Sequence, residues 1–478
     1  MKAAVILAAL LSGILTHFLP EVPATSKPIV AADEEPAWVR QTGAKQFPAG
    51  KKTFWVNNYL ADSTGGSLTT TAIQATIDAC ARAGGGMVRF KPGKYLTGSI
   101  FIKSGVLLQV DEGVEIAGSQ DIRDYPEIDT RVAGIEMKWP AALINIIGQQ
   151  KAGIAGKGLI NAQGKPFWDI YWKMRKEYEP KGLRWIVDYD AKRPRTLLVA
   201  NAAHITIRDV TLQQAGFWTV QLLYSSHITV DGIIIRNNVD GHGPSTDGID
   251  IDSSTYVLIE NCDIDCNDDN FCLKAGRDWD GLSVARPTAY VVIRHCLARA
   301  GAGIITLGSE TSGSIRHVIA SDLTGNGTSN GLNIKSAVTR GGTIEDIHFK
   351  RVVMKKVRTA FQFTMNWNPT YSYSSLPENY RYDSIPVHWK KLLTKVEPAQ
   401  RGIPIFKDVY ISDITLDSVK TVIHAVGLEQ SPLSNFHFEG IKGSAATAGN
   451  VRYVRGWEWK GNDIATADKT QLTPASFQ

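Results

Sequence analysis

In the stretch "HITIRDVTL" (residues 204–212), Ile205, Ile207, Val210 and Leu212 trace the pattern apolar-x-apolar-x-x-apolar-x-apolar. It returns at Ile228, Val230, Ile233, Ile235, then at Val257, Ile259, Cys262, Ile264 and at Val291, Ile293, Cys296, Ala298. Weaker copies start at Val318 and Ile347, and Val409 and Phe436 open the last two. Successive copies begin 23 to 34 residues apart, except for one interval of about twice that length before Val409. Period-two alternation broken once by two extra residues predicts two short strands joined by a bend. A unit of this size cannot bury its own apolar face, so each must stack on the next. Helical repeats are excluded by the spacing, and a propeller blade needs about 40 residues and four strands. The expected fold is all-β, a right-handed parallel β-helix.

Between these copies lies a second strand family: "TDGIDI" (246–251), "DDNFCL" (268–273), "GAGIITL" (301–307), "NGLNIK" (330–335) and "AFQFTM" (360–365). Aligning Ile249 and Ile251 with Phe271 and Leu273 stacks Asp247 on Asp269 and Thr246 on Asp268. The segment "TTTAIQATIDACARAGGG" (69–86) instead has Ile73, Ile77 and Cys80 at helical spacing before a glycine stop. It is expected to be a helix capping the open end of the coil, an edge that would otherwise invite pairing with another chain. The long interval holds "NWNPTYSYSSLPENYRYDSIPVHW" (366–389), whose aromatic residues, Trp367 among them, suit a wall of a sugar cleft as well as an ordinary loop. The expected boundaries are a signal peptide at 1–24, a linker at 25–45, one β-helix domain at 46–456 and a tail at 457–478.

The leader reading rests on Lys2, an apolar run from Ala3 to Leu15, and "VPA" ending at Ala24. That run is shorter than the ~20 residues a membrane span needs, so export with cleavage is expected, to a secreted or periplasmic location. A net charge of +5 without a clustered Lys/Arg arm disfavours nucleic acid as a partner and leaves room for an acidic polymer. Five cysteines, an odd number, leave at least one without an intrachain partner. Cys262, Cys266 and Cys272 lack a second pair at zinc spacing, so buried free thiols are expected rather than metal ligands. A monomer is the expectation.

In "NCDIDCNDDNFCLKAG" (261–276) two aspartates stand side by side ahead of an apolar run. Asp269 and Asp247 come from equivalent positions of adjacent coils, about 4.8 Å apart along the stack. Asp268 lies at the turn, where strand alternation need not hold, and can reach the same groove. Like charges this close raise at least one pKa, leaving a protonated carboxyl beside ionised ones. Glycosidic cleavage needs that pair of states, an acid for the leaving oxygen and a base for water. Turn-forming aspartates and a calcium site are the competing readings.

"STDGIDI", then "DD", "GAGIITLGSE" and "NIK", between about Phe54 and Lys442, resemble the family 28 glycoside hydrolases, the polygalacturonase family. The family pattern is Asn-Thr-Asp, Asp-Asp, Gly-His-Gly and Arg-Ile-Lys on a right-handed parallel β-helix. The resemblance implies an inverting hydrolase without metal or organic cofactor, acting on a pectic polysaccharide or oligosaccharide. It implies that Asp268 is the general acid and that Asp247 and Asp269 hold the attacking water. Ser245 stands where the family has Asn, Ala302 replaces the His, and Asn333 replaces the Arg while Lys335 stays. The segment around Ala302 is one residue longer before Gly308 and Ser309. Substrate contacts are expected from Lys335, Asn333, Ser309, Trp367 and, from a separate "GHG" at 241–243, His242. Asn cannot clamp a carboxylate with two parallel bonds as Arg does. The departures therefore point toward rhamnogalacturonan-type or oligogalacturonide substrates and to attack at chain ends. A β-helix polysaccharide lyase and a non-catalytic carbohydrate-binding β-helix remain the alternatives.

Overall fold

The structure, a computed structural model, describes residues 35–48, 50 and 52–472. The leader read at 1–24 lies outside them. Thirty-three strands join in one connected system of parallel ladders, and the chain is a right-handed parallel β-helix, the hand that parallel crossovers adopt. The register follows the apolar repeat. Ile205 stands opposite Ile228, Ile228 opposite Val257 and Val257 opposite Val291, and the series continues through Val318, Ile347 and Val409 to Phe436.

The two extra residues of each copy make the bend. Asp209, Asn261, His295, Asp322, Arg351 and Asp413 all take the left-handed conformation there, with Gly232 and Gly440 at the same place in their coils. Asp, Asn and Gly tolerate that region best, which is why short polar residues recur between the apolar pairs. After the bend come strands such as Ile234–Arg236 and Asp263–Asp265. A third ladder contains Val220–Leu223, Ile249–Asp252, Phe271–Lys274, Gly303–Leu307, Asn330–Lys335 and Thr359–Thr364. Ile249 pairs with Phe271 and Ile251 with Leu273, as the sequence register required.

Helix Thr70–Arg82 buries Ile73, Ile77 and Cys80 against the same core and caps the first coil. At the other end the fold runs past the expected boundary at 456. Strands Glu458–Lys460 and Asp463–Thr466 pair onto the preceding coil, and Trp457, Trp459 and Ile464 pack against the core. Those apolar side chains have no other place to be buried. The expected linker also joins the fold from Ala37 onward. A short 3-10 turn, Ala37–Gln41, sets Val39 against Leu258 and Val292, outward-facing residues that it covers. All five cysteines are free and buried.

Three segments outside the repeat converge on residues beside the third ladder. They are the antiparallel hairpin Glu127–Val132/Ile135–Pro140, the helical stretch from Lys165 to Asp190, and residues 366–402. Trp139, Trp185, Tyr189, Phe217, Trp218 and Trp389 give them a second apolar core of their own. No helix among the described residues is long and apolar enough to cross a membrane.

Candidate active site

Strand Ile249–Asp252 sends Ile249 and Ile251 inward, so Asp250 faces out; in Phe271–Lys274, Cys272 and Lys274 do the same. The turns that lead into these strands carry the aspartates. Gly248 N donates to Asp269 O at 2.9 Å and Ile249 N to Asn270 O at 2.9 Å, which places Asp247 beside Asp269 in the stack. Their carboxylate oxygens fall within 4.8 Å of one another. Asp268 sits half-buried at the turn, and one pocket is lined by Asp247, Asp268, Asp269, Lys274, Ser309, Glu310 and Lys335. Ala133, Arg184, Asp188, Phe217, Trp218, Ser245, Trp367 and Tyr371 form its walls.

The three aspartates differ in their surroundings. Asp269 Oδ1 accepts from Thr306 Oγ1 at 2.7 Å and Oδ2 from Lys335 Nζ at 2.8 Å. Burial would raise its pKa, but the Lys335 and Lys274 charges and these bonds hold it below the usual carboxylate value, so it is an anion. Burial and the Asp269 charge push Asp268 up to about 6 against the pull of the two lysines. Asp247 is pushed well up, first by burial and then by the charges of Asp250 and Asp268. Lys335 compensates Asp269 directly, while Asp247 shares Lys274 at 3.5 Å with Asp250 and Glu310.

Lys274 is the second centre of charge. Its Nζ lies 3.5 Å from each of Asp247 Oδ2, Asp250 Oδ1 and Glu310 Oε2, and 4.8 Å from the Trp218 ring centroid. Lys335 Nζ is likewise 4.5 Å from the Trp367 ring centroid. Both ammoniums thus rest on indole faces, the preferred aromatic partner of a cation. Neighbouring acids raise the pKa of each lysine, although burial acts the other way. Asp247, Asp269 and Cys272 place atoms close enough for a cation. The two ammoniums already compensate those carboxylates, so the donor set does not fit a metal.

The residues expected to bind substrate divide into two groups. Lys335, Ser309 and Trp367 line the pocket with the three aspartates. Lys335 is aimed at Asp269 rather than left open for a uronate, because the nearest buried anion claims its ammonium. Asn333 is one outward position earlier on the same strand, buried and off the pocket, with Nδ2 3.5 Å from Thr306 Oγ1. His242 is exposed, bonded through Nδ1 to Asn238 Oδ1 at 3.0 Å, and also off the pocket. The turn carries it outward past Gly243, whereas Ser245 faces the site.

Sequence reasoning missed Lys274, Asp250, Glu310, Arg184 and Asp188. Strict alternation marks Asp250 and Lys274 as outward-facing neighbours of the acids, and that signal was available. Arg184 and Asp188 come from a segment with no repeat register. There, Ser245 Oγ donates to Asp188 Oδ1 at 2.9 Å, so the departure from Asn at 245 ties the catalytic turn to the wall.

One buried residue, Arg277, joins the walls through its backbone and its guanidinium. Arg277 N donates to Gly134 O at 2.8 Å at the hairpin tip, Nη1 to Tyr189 Oη at 2.8 Å, and Nη2 to Tyr371 O at 2.9 Å. Gly134 has φ +90, and a Cβ there would stand 2.4 Å from Arg277 Cβ, so only glycine fits this approach.

The model of glycosyl hydrolases family 28 matches residues 97–374. A "Probable polygalacturonase" of Vitis vinifera is 29% identical over 388 residues, 79% of this chain and 71% of that protein. An "Exo-poly-alpha-D-galacturonosidase" of Dickeya chrysanthemi is 24% identical over 64% of this chain and 56% of its own length. Among solved structures, an exopolygalacturonase from Thermotoga maritima superposes with a TM-score of 0.74 at 21% identity, covering 90% of this chain and 95% of that one. That superposition supports the same coil architecture. With the family model spanning more than half of the sequence, the chain is a glycoside hydrolase and belongs to glycosyl hydrolases family 28.

Proposed function

We propose that the protein is an inverting hydrolase of galacturonate-containing glycosidic bonds in pectin, exported from the cell and acting without metal on rhamnogalacturonan-type or oligogalacturonide chain ends. The observation that carries this reading is adjacent carboxyls with unequal partners in one walled pocket, Asp269 bonded to Lys335 and Thr306 and Asp268 to neither. Asp268, with a pKa near 6, is suited to protonate the leaving oxygen. Asp269, held ionised by Lys335, is suited to orient and activate water. Asp269 takes the water's proton as the water attacks, and Asp247, beside it in the stack, completes the water site. Polygalacturonase activity named for the relatives supports the galacturonate, and the crowding of the acids by wall segments favours short chains and ends. Export rests on the pattern at residues 2–24.

A lyase would need an unprotonated Lys or Arg as base. Lys274 and Lys335 are both locked protonated among acids, which disfavours that alternative. The test is a set of defined pectin fragments assayed for new reducing ends and for ultraviolet absorbance, with and without chelator. Reducing ends without absorbance, indifferent to chelator, are expected. Calcium-dependent activity that builds absorbance would replace the hydrolase with a lyase. Rapid viscosity loss from unbranched polygalacturonate would overturn the chain-end reading.

A further inference from the structure

The Arg that the family places two residues before its Lys is Asn333 here, which carries no charge and has Nδ2 3.5 Å from Thr306 Oγ1. Lys335 is occupied by Asp269, and Lys274 by three carboxylates. Yet a uronate buried in the pocket needs a cation of its own. Arg184, on the wall segment Arg184–Ile186, also lines the pocket. Its Nη1 donates to Asp188 Oδ2 at 2.7 Å and its Cζ stands 5.0 Å from the Tyr371 ring centroid, which fixes the plane of the guanidinium. Among the described residues none accepts from Nη2. The side chain keeps 15% of its surface exposed.

Asp188 is shared with the buried Arg193, whose Nη2 lies 3.3 Å from Asp188 Oδ1. Glu179, 3.6 Å from Arg184 Nε, is shared with Arg175 at 2.7 Å. Arg175, Arg184 and Arg193 thus share two carboxylates, Asp188 and Glu179. Burial alone would raise the pKa of Asp188, but Arg184 and Arg193 hold it down, so it stays an anion and does not release Arg184.

We propose that Arg184 is the specificity-determining residue that clamps the carboxylate of the bound galacturonate, replacing from the wall the guanidinium missing at position 333. This rests on the galacturonate reading above. A fixed fork with an open edge presents the parallel donors that a planar carboxylate takes. An aldose of the same shape without the carboxylate gains nothing from it.

The test compares kcat and KM on an oligogalacturonide and on its carboxyl-reduced, galactose-containing counterpart. Arg184→Gln should raise KM for the oligogalacturonide about 10- to 100-fold, the range for a lost charge-assisted pair, and leave the reduced substrate nearly unchanged. Arg184→Lys, which keeps the charge and the Asp188 contact, should fall between and serves if the Gln variant folds poorly. An unchanged preference between the two substrates in both variants would overturn the assignment while leaving the galacturonate reading intact. Failure of the unmutated protein to cleave any galacturonide would remove both.

Discussion

Lys335 Nζ stands 2.8 Å from Asp269 Oδ2, and the two side chains are only 7% and 1% exposed. A buried carboxylate with that partner stays ionised at pH values where its neighbours take up protons. The lysine therefore sets the charge pattern of the site. Lys335→Met should lower kcat by at least ~10², the scale of a lost general base. Because Lys335 lowers the pKa of Asp268 and of Asp269 alike, both limbs of the kcat/KM profile should move to higher pH. A fall in activity with an unshifted profile would show that the lysine serves only in substrate contact.

The alkaline limb in the unmutated protein should lie close to pH 6, since Asp268 has to be protonated to act and its pKa is about 6. Asp268→Asn should cost at least ~10²-fold in turnover, and much less on a substrate with a good leaving group. Asp247→Asn and Asp269→Asn should stay slow on either substrate, because water is not activated. Equal responses of all three variants to the leaving group would refute this division of labour.

Asp250 is fully buried with neither oxygen hydrogen-bonded among the described residues, and burial raises its pKa well above the ordinary value. The folded state therefore keeps a proton that the unfolded chain, with a pKa of ~3.9, gives up as pH rises. Its contribution to stability is intact below about pH 4 and is lost as pH climbs toward the raised folded value. Asp250→Asn should accordingly raise Tm at pH 7 and converge with the unmutated protein near pH 4. A lower Tm at pH 7 would instead identify Asp250 as an ionised partner that Lys274 needs.

Lys274→Met leaves Glu310, which Lys274 helps to hold ionised, without its cation. Removing one partner of a buried ion pair costs ~3–5 kcal/mol, and urea denaturation should show a loss of that order at neutral pH. The loss should shrink as pH falls, since the stranded Glu310 can then take up a proton. A pH-independent loss would mean that the side chain acts through packing on Trp218 alone.

The coil was legible because it is periodic. The apolar column from Ile205 to Phe436 fixes every register, and the register alone brings Asp247 next to Asp269. What lay outside the period was harder to read. Arg184, Asp188 and the hairpin belong to insertions whose positions depend on tertiary contacts and carry no signal at spacing two. Charge assignment was also incomplete, since it depends on which ammonium reaches which carboxylate. His242 lies off the pocket for a related reason. A motif resemblance locates a residue along the chain, while one extra turn residue decides whether it faces the pocket.

Arg277 gathers the hairpin tip through its backbone N–H, and the Tyr189 segment and the Tyr371 loop through its guanidinium, onto a single residue. The coil beneath is held by backbone bonds repeated along its whole length, so the two layers have unequal resistance to heat. The enzyme should thus have two melting events. Substrate turnover would fade as the three segments part, while circular dichroism still reports an undisturbed β-signal. Cooling from that first stage should restore turnover, because the ladder that re-seats the segments has never come apart.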